Sequence, residues 1–116
     1  MQPTRRDPAT LLDIAEAIRR ICLFSSGMDR AAFLADLKTQ AAILHEITLL
    51  GEAVKRLSQE FRARHSRIPW QKIAGMRDKL VHAYDQVDLG RVWEVAKDDL
   101  PQLSAWIDPL LPRKEG

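Results

Sequence analysis

The sequence holds a single cysteine, Cys22, so it can form no disulfide of its own, and a reduced, cytoplasmic setting is expected. It lacks any run of about 18 apolar residues, which excludes a transmembrane helix. The charged start, Met1 to Asp7, is not followed by the apolar block of a secretory leader. Cysteine pairs, a His-Glu-x-x-His helix and a glycine-rich phosphate loop are all missing, which argues against zinc chemistry and P-loop hydrolysis. There is no nucleophile elbow and no cysteine close to a histidine in sequence. Neither a metal nor another cofactor is expected. No stretch alternates in the manner of a strand bounded by hairpin turns, and no internal repeat or low-complexity segment occurs.

What remains is a chain of 116 residues, 46% hydrophobic and 29% charged, enough for one domain with one core. That domain is expected to span 1–116, with an ordered core over about 7–108 and a tail at 109–116. The net charge of +2 is small, but its distribution is uneven. Between Lys55 and Lys79 lie eight basic and two acidic residues, a net of +6; between Tyr84 and Asp108 lie six acidic and two basic, a net of −4. The chain is therefore dipolar, which suits either a solvated surface with complementary faces in an oligomer or an anionic partner.

Helical spacing accounts for nearly all of it. Asp7 reads as an N-cap with Pro8 at the first position, followed by Leu11, Ile14, Ala15, Ile18, Ile21 and Cys22, and the helix should stop near Gly27. Asp29 should cap a short helix carrying Phe33 and Leu34, and Asp36 another. From Leu37 to about Arg64 a single long helix is expected. Its seam is Ile43, Ile47, Leu50, Val54, Leu57 and Phe61, with a weaker face through Leu37, Ala41 and Leu44. Gly51 in its middle implies the close approach of another backbone. Glu52 and Lys55 read as a surface pair. After a break at 65–69, Ile73, Met76, Leu80 and Tyr84 line one stripe. Asp88 then caps a last helix that Pro101 should kink or divide. The expected fold is all-α, an up-and-down helical bundle of four main helices and a short one.

One stretch of this scaffold carries chemistry. Arg77, a phosphate binder, is followed by His82, which titrates near neutral pH, and by Tyr84, a modifiable hydroxyl. On a continuous helix Asp78 and His82 share a face, while Arg77 and His82 diverge by roughly 140° at about 100° per residue. Either the helix deforms near its end, or the two side chains meet partners from a second chain, giving a composite site at a symmetric dimer interface. The plainer alternative is a helix-end histidine at the dipole, with Arg77 in a surface ion pair. His45 and His65 read as structural or solvated.

The run from Ile68 through Pro69, Trp70 and Gly75 to Met76-Arg77-Asp78-Lys79-Leu80-Val81-His82-Ala83-Tyr84 resembles the signature of HepT-type HEPN proteins. These are the toxin half of HepT/MntA (type VII) toxin–antitoxin pairs. Gly51-Glu52-Ala53-Val54-Lys55, the Phe33 to Gln40 segment, and Val87-Asp88-Leu89 through Trp93 to Pro101 are similar to that family too. The resemblance implies a HEPN domain that dimerises around one cleft and cuts RNA without a metal ion. It implies that Arg77 binds the scissile phosphate and His82 transfers protons, with Asp78, where the family has a polar residue, in support. It further implies that a cognate nucleotidyltransferase antitoxin modifies Tyr84 with AMP. A second reading is a non-catalytic HEPN nucleotide- or RNA-binding partner of a nucleotidyltransferase. A third is a structural bundle dimerising through the Ile43 to Phe61 seam.

Overall fold

The computed structural model describes residues 6–82 and 86–112; Tyr84 and the tail at 113–116 lie outside them. Eight α-helical segments follow one another among the described residues. They are α1 (Arg6–Phe24), α2 (Arg30–Leu34), α3 (Leu37–Arg56), α4 (Gln59–Arg64), α5 (Trp70–Ala74), α6 (Met76–Leu80), α7 (Leu89–Glu94) and α8 (Leu100–Ile107). A π-helical segment, Val95–Asp99, joins α7 to α8, and a 3₁₀ turn, Asp108–Leu110, closes the bundle. The described residues contain no strand, only an isolated bridge between Val81 and Val87. The fold is all-α, as expected. No helix among these residues is long and apolar enough to cross a membrane.

α1 and α3 form the central pair and run antiparallel, since Arg20 reaches Glu46 at 3.8 Å while Arg56 reaches Asp13 at 3.7 Å. Between them lie Leu11, Ile14, Ile18 and Ile21 on one side and Ile43, Ile47, Leu50 and Val54 on the other, all buried. Leu100, Leu103 and Ile107 of α8 complete this core. The seam expected on the long helix is therefore consumed inside one chain: Leu57 and Phe61 are buried as well. That removes it as a surface for dimerisation. The weaker face is exposed, with Leu37 at 79%. Cys22 departs from its expected stripe and is exposed, because Ile18, Ile21 and Ser25 occupy the inward positions around it.

The two aspartates expected as caps of the second and third helices do cap them. Asp29 accepts from the Ala32 N–H at 2.8 Å and Asp36 from the Thr39 N–H at 3.0 Å, with the Thr39 hydroxyl at 2.7 Å as well. Gln40, buried, donates from Nε2 to the carbonyls of Phe33 and Leu34 at the end of α2, the first of which also accepts from the Asp36 N–H. Gly27 takes a left-handed φ of 75° where α1 stops. The pair Glu52–Lys55 is present at 3.6 Å between exposed side chains.

Two expectations need correction. Asp7 lies inside the first turn of α1, and it caps nothing there. It is buried, and it accepts from the Ser58 N–H at 2.9 Å and from the Ser58 hydroxyl at 2.6 Å, 51 residues away. Ser58 Oγ in turn accepts from the Phe61 N–H at 3.1 Å. This joint is why the long helix ends at Arg56 and α4 starts afresh: Leu57 is extended (φ −65°, ψ 140°) and Ser58 is the new N-cap. The division expected near Pro101 is found: the π-helical segment ends just before it and α8 carries the proline in its first turn. The wide turn just before it absorbs the ring, and the Leu100 N–H reaches back five residues to the Val95 carbonyl.

Replacing Asp7 with alanine leaves the part-buried Ser58 donors without their acceptor. Urea unfolding should show a loss of about 1–3 kcal/mol, non-additive with Ser58→Ala. Asp36 gives a pH-dependent expectation. Backbone and then hydroxyl hydrogen bonds from Thr39 hold its carboxyl below the usual aspartate range. A lowered folded-state pKa stabilises fully above the unfolded value of about 3.9 and is lost as pH falls through the folded value. Stability measured between pH 6 and pH 2.5 should therefore fall less steeply in Asp36→Ala than in the wild type.

Candidate functional site

The segment that carries Arg77 is built from two five-residue helices with a break between them. Trp70 anchors the first: its indole is buried, donates from Nε1 to the His65 carbonyl at 3.1 Å, and lies 6.0 Å from the Phe61 ring. His65 stacks at 4.6 Å on Phe61 at the end of α4, a structural role, and His45 is exposed on α3. Gly75, with ψ near zero, divides α5 from α6. Where they meet, α5 and α6 press against the middle of α3. A Cβ on Gly51 would stand 3.1 Å from the Ala74 carbonyl oxygen, so the close backbone approach expected of this glycine is found, and its neighbour is now identified.

α6 then stops at Leu80, whose side chain is buried, two residues short of His82. The Val81 N–H makes the last helical bond, to Arg77 at 3.0 Å, and Val81 itself is extended. From here the backbone pairs with the chain that returns to α7. The Asp88 N–H donates to Leu80 and the His82 N–H to Gln86, each at 2.8 Å. Asp88, the expected cap of the last helix, also accepts from the Arg91 N–H at 3.1 Å. The loop between them, 83–85, contains Tyr84 and lies outside the described residues.

This geometry corrects the helical reading of the motif. His82 is not on the helix, so the angle of roughly 140° from Arg77 no longer applies, nor does the shared face of Asp78 and His82. Of the two alternatives read from spacing, the deformation near the helix end is present in the single chain. Asp78 has Arg77 as its ion partner, 3.6 Å away, and both side chains are exposed, Arg77 by 48% and Asp78 by 79%. His82 is exposed, and its side chain has no hydrogen-bond partner among the described residues. An exposed guanidinium on α6 and an exposed imidazole just past its end are thus open to an anionic ligand among the described residues. No cluster of three or more histidine, cysteine or carboxylate side chains suited to a metal occurs among the described residues.

Sequence reasoning did not anticipate the two cavities beside this segment. One, of about 490 Å³, lies between α5–α6 and the π segment with α8; Lys72, Met76 and Lys79 face Asp98, Asp99 and Trp106 across it. The second, of about 300 Å³, is lined by Arg64, His65, Arg67 and again Trp106. The density of basic residues over 55–79 was the available signal, but which helix would face them was not.

The fold places the chain among all-α proteins, and sequence comparison gives its class. The profile of the family described as "Ribonuclease HepT-like" matches residues 14–110, and the chain belongs to that family. A probable ribonuclease HepT of Thermococcus cleftensis is 42% identical over 100 residues, covering 86% of this chain and 91% of its own. A putative RNase of Methanocaldococcus jannaschii is 34% identical over 114 residues, 98% of this chain and 94% of its own. A putative RNase of Caldanaerobacter subterraneus is 37% identical over 89 residues, 77% and 80%. No solved structure matches the chain.

Gly51→Val tests how closely the site depends on the α3 contact. Its branched side chain must displace the Ala74 carbonyl, and overpacking of this kind costs about 1–3 kcal/mol. A lowered urea midpoint together with greater protease cleavage near Gly75 is the expected result.

Proposed function

We propose that this chain is the toxin of a type VII toxin–antitoxin pair, an endoribonuclease that cuts cellular RNA in the cytoplasm without a metal ion and acts as a homodimer. The observation that carries the reading is the exposure of both Arg77, on α6, and His82, two residues past its end, in a chain of the HepT-like ribonuclease family. RNA supplies its own nucleophile, the ribose 2′-OH, so the protein needs only charge stabilisation and proton transfer. The 2′ oxygen attacks the adjacent phosphorus, the new O2′–P bond forms and the P–O5′ bond breaks. One imidazole takes the 2′-OH proton and a protonated imidazole delivers one to the departing 5′ oxygen. Arg77 neutralises the charge that builds on the non-bridging oxygens.

A single chain offers one such imidazole, open to solvent; two copies of the chain bring two, one in each protonation state, and a cleft to exclude water. Dimerisation thus supplies both the missing group and the enclosure. Asp78 supports the site through Arg77, its ion partner, and swings away as phosphate takes its place. Tyr84, two residues beyond His82, is the proposed point of control. A nucleotidyltransferase antitoxin joins its phenolic oxygen to the α-phosphorus of ATP with loss of pyrophosphate, placing bulk and negative charge beside the cleft.

Purified, unmodified protein should degrade RNA in the presence of EDTA, and Arg77→Ala and His82→Ala should each lower the rate by about 10²- to 10⁴-fold. Equal cleavage by all three removes these residues from the site. RNA that shifts in a gel yet stays intact favours the non-catalytic HEPN partner instead. Diluting the protein until it is monomeric should abolish cleavage; a fully active monomer refutes the shared site.

A further inference from the structure

We propose that the two cavities flanking Trp106 form one track for a single-stranded segment of RNA next to the cleaved linkage, with the Trp106 indole as a stacking platform. The proposal rests on the ribonuclease reading and adds where the substrate lies beyond the reacting phosphate. Trp106 lines both cavities, so they adjoin at its ring, and it is only half-buried. Along one wall run Arg64 and Arg67, then Lys72 and Lys79, contributed by α4, the turn after it, α5 and α6. None of the four has an ion pair among the described residues, in contrast to Arg91, which Glu94 at 2.9 Å and Asp99 at 3.0 Å hold in place.

The opposite wall carries Asp98, together with Asp99 in its ion pair with Arg91, so the unpaired positive charge lies on the lysine and arginine side. The floor between is apolar, formed by Ile73, Leu80 and Leu103. A positively charged edge that follows a sugar–phosphate chain, beside an aromatic face on which bases stack, is how single strands are held without regard to sequence. Volumes of about 490 and 300 Å³ are large enough to take unpaired bases. Lys79 lies two residues from Arg77 on the same helix, about 200° around it, so the strand crosses α6 between the track and the residue assigned to the scissile phosphate.

The test uses a fluorescent 2′-O-methyl oligonucleotide, which lacks the nucleophile and so reports binding without cleavage. Trp106→Leu keeps the apolar packing but removes the ring, and should weaken binding about five- to hundredfold, with Trp106→Phe restoring most of it. Arg67→Ala and Lys72→Ala, at exposed positions, should each reduce the slope of log affinity against log salt by about 0.7. Circular dichroism melts identify any variant that fails to fold; if Trp106→Leu is one, the two basic variants decide. Wild-type affinity and slope in the folded variants overturn the track and leave the cavities to a protein partner. Wild-type protein that cleaves RNA while those variants bind normally sinks only the track. Wild-type protein that neither binds nor cleaves RNA sinks the ribonuclease reading with it.

Discussion

The contact between α3 at Gly51 and the Ala74 carbonyl governs where the chemistry can sit. α5 and α6 have five residues each, too short to hold a direction by their own hydrogen bonds. Their placement comes instead from what they touch: Trp70 bonded to His65 at one end, Leu80 sunk in the core at the other, and the α3 backbone in the middle. A helix interior normally disfavours glycine by about 1 kcal/mol relative to alanine. Here that cost is offset by an approach that no side chain permits. Arg77 and His82 can both be exposed because the residues between and around them are so firmly fixed.

The second constraint is the switch from helix to extended backbone at Val81. If α6 had continued, its 3.6-residue period would have fixed the angle between the Arg77 and His82 side chains. The pairing of Leu80 with Asp88 and of His82 with Gln86 replaces that period with backbone hydrogen bonds between the end of α6 and the approach to α7. His82 is held by its backbone at this joint while its side chain is exposed.

Much of the architecture was legible in the sequence, and the reasons differ by element. Asp29, Asp36 and Asp88 announced helix starts because short polar side chains satisfy open N–H groups only there. The buried seam was readable because Ile43, Ile47, Leu50 and Val54 repeat at helical spacing. The break at Leu57–Ser58 was not, since no glycine or proline marks it and its cause, the Asp7 carboxylate, lies 51 residues away. The end of α6 was hidden for a similar reason: Val81, His82 and Ala83 continue a helical pattern, and only the partner strand overrides it. At the site, the residue types were visible in the motif, but the ion pairing of Asp78 with Arg77 and the facing of Trp106 by the basic segment depend on tertiary placement.

The bundle surface has one more consequence. Cys22 is the chain's single cysteine, and α1 holds it outward on a rigid, nineteen-residue helix. Each copy of the protein is therefore singly addressable. A spin label or fluorophore placed on that thiol marks one fixed point per chain, so an assembly of two chains yields a single distance and an isolated chain yields none. The natural protein already contains the ruler with which its own symmetry can be measured.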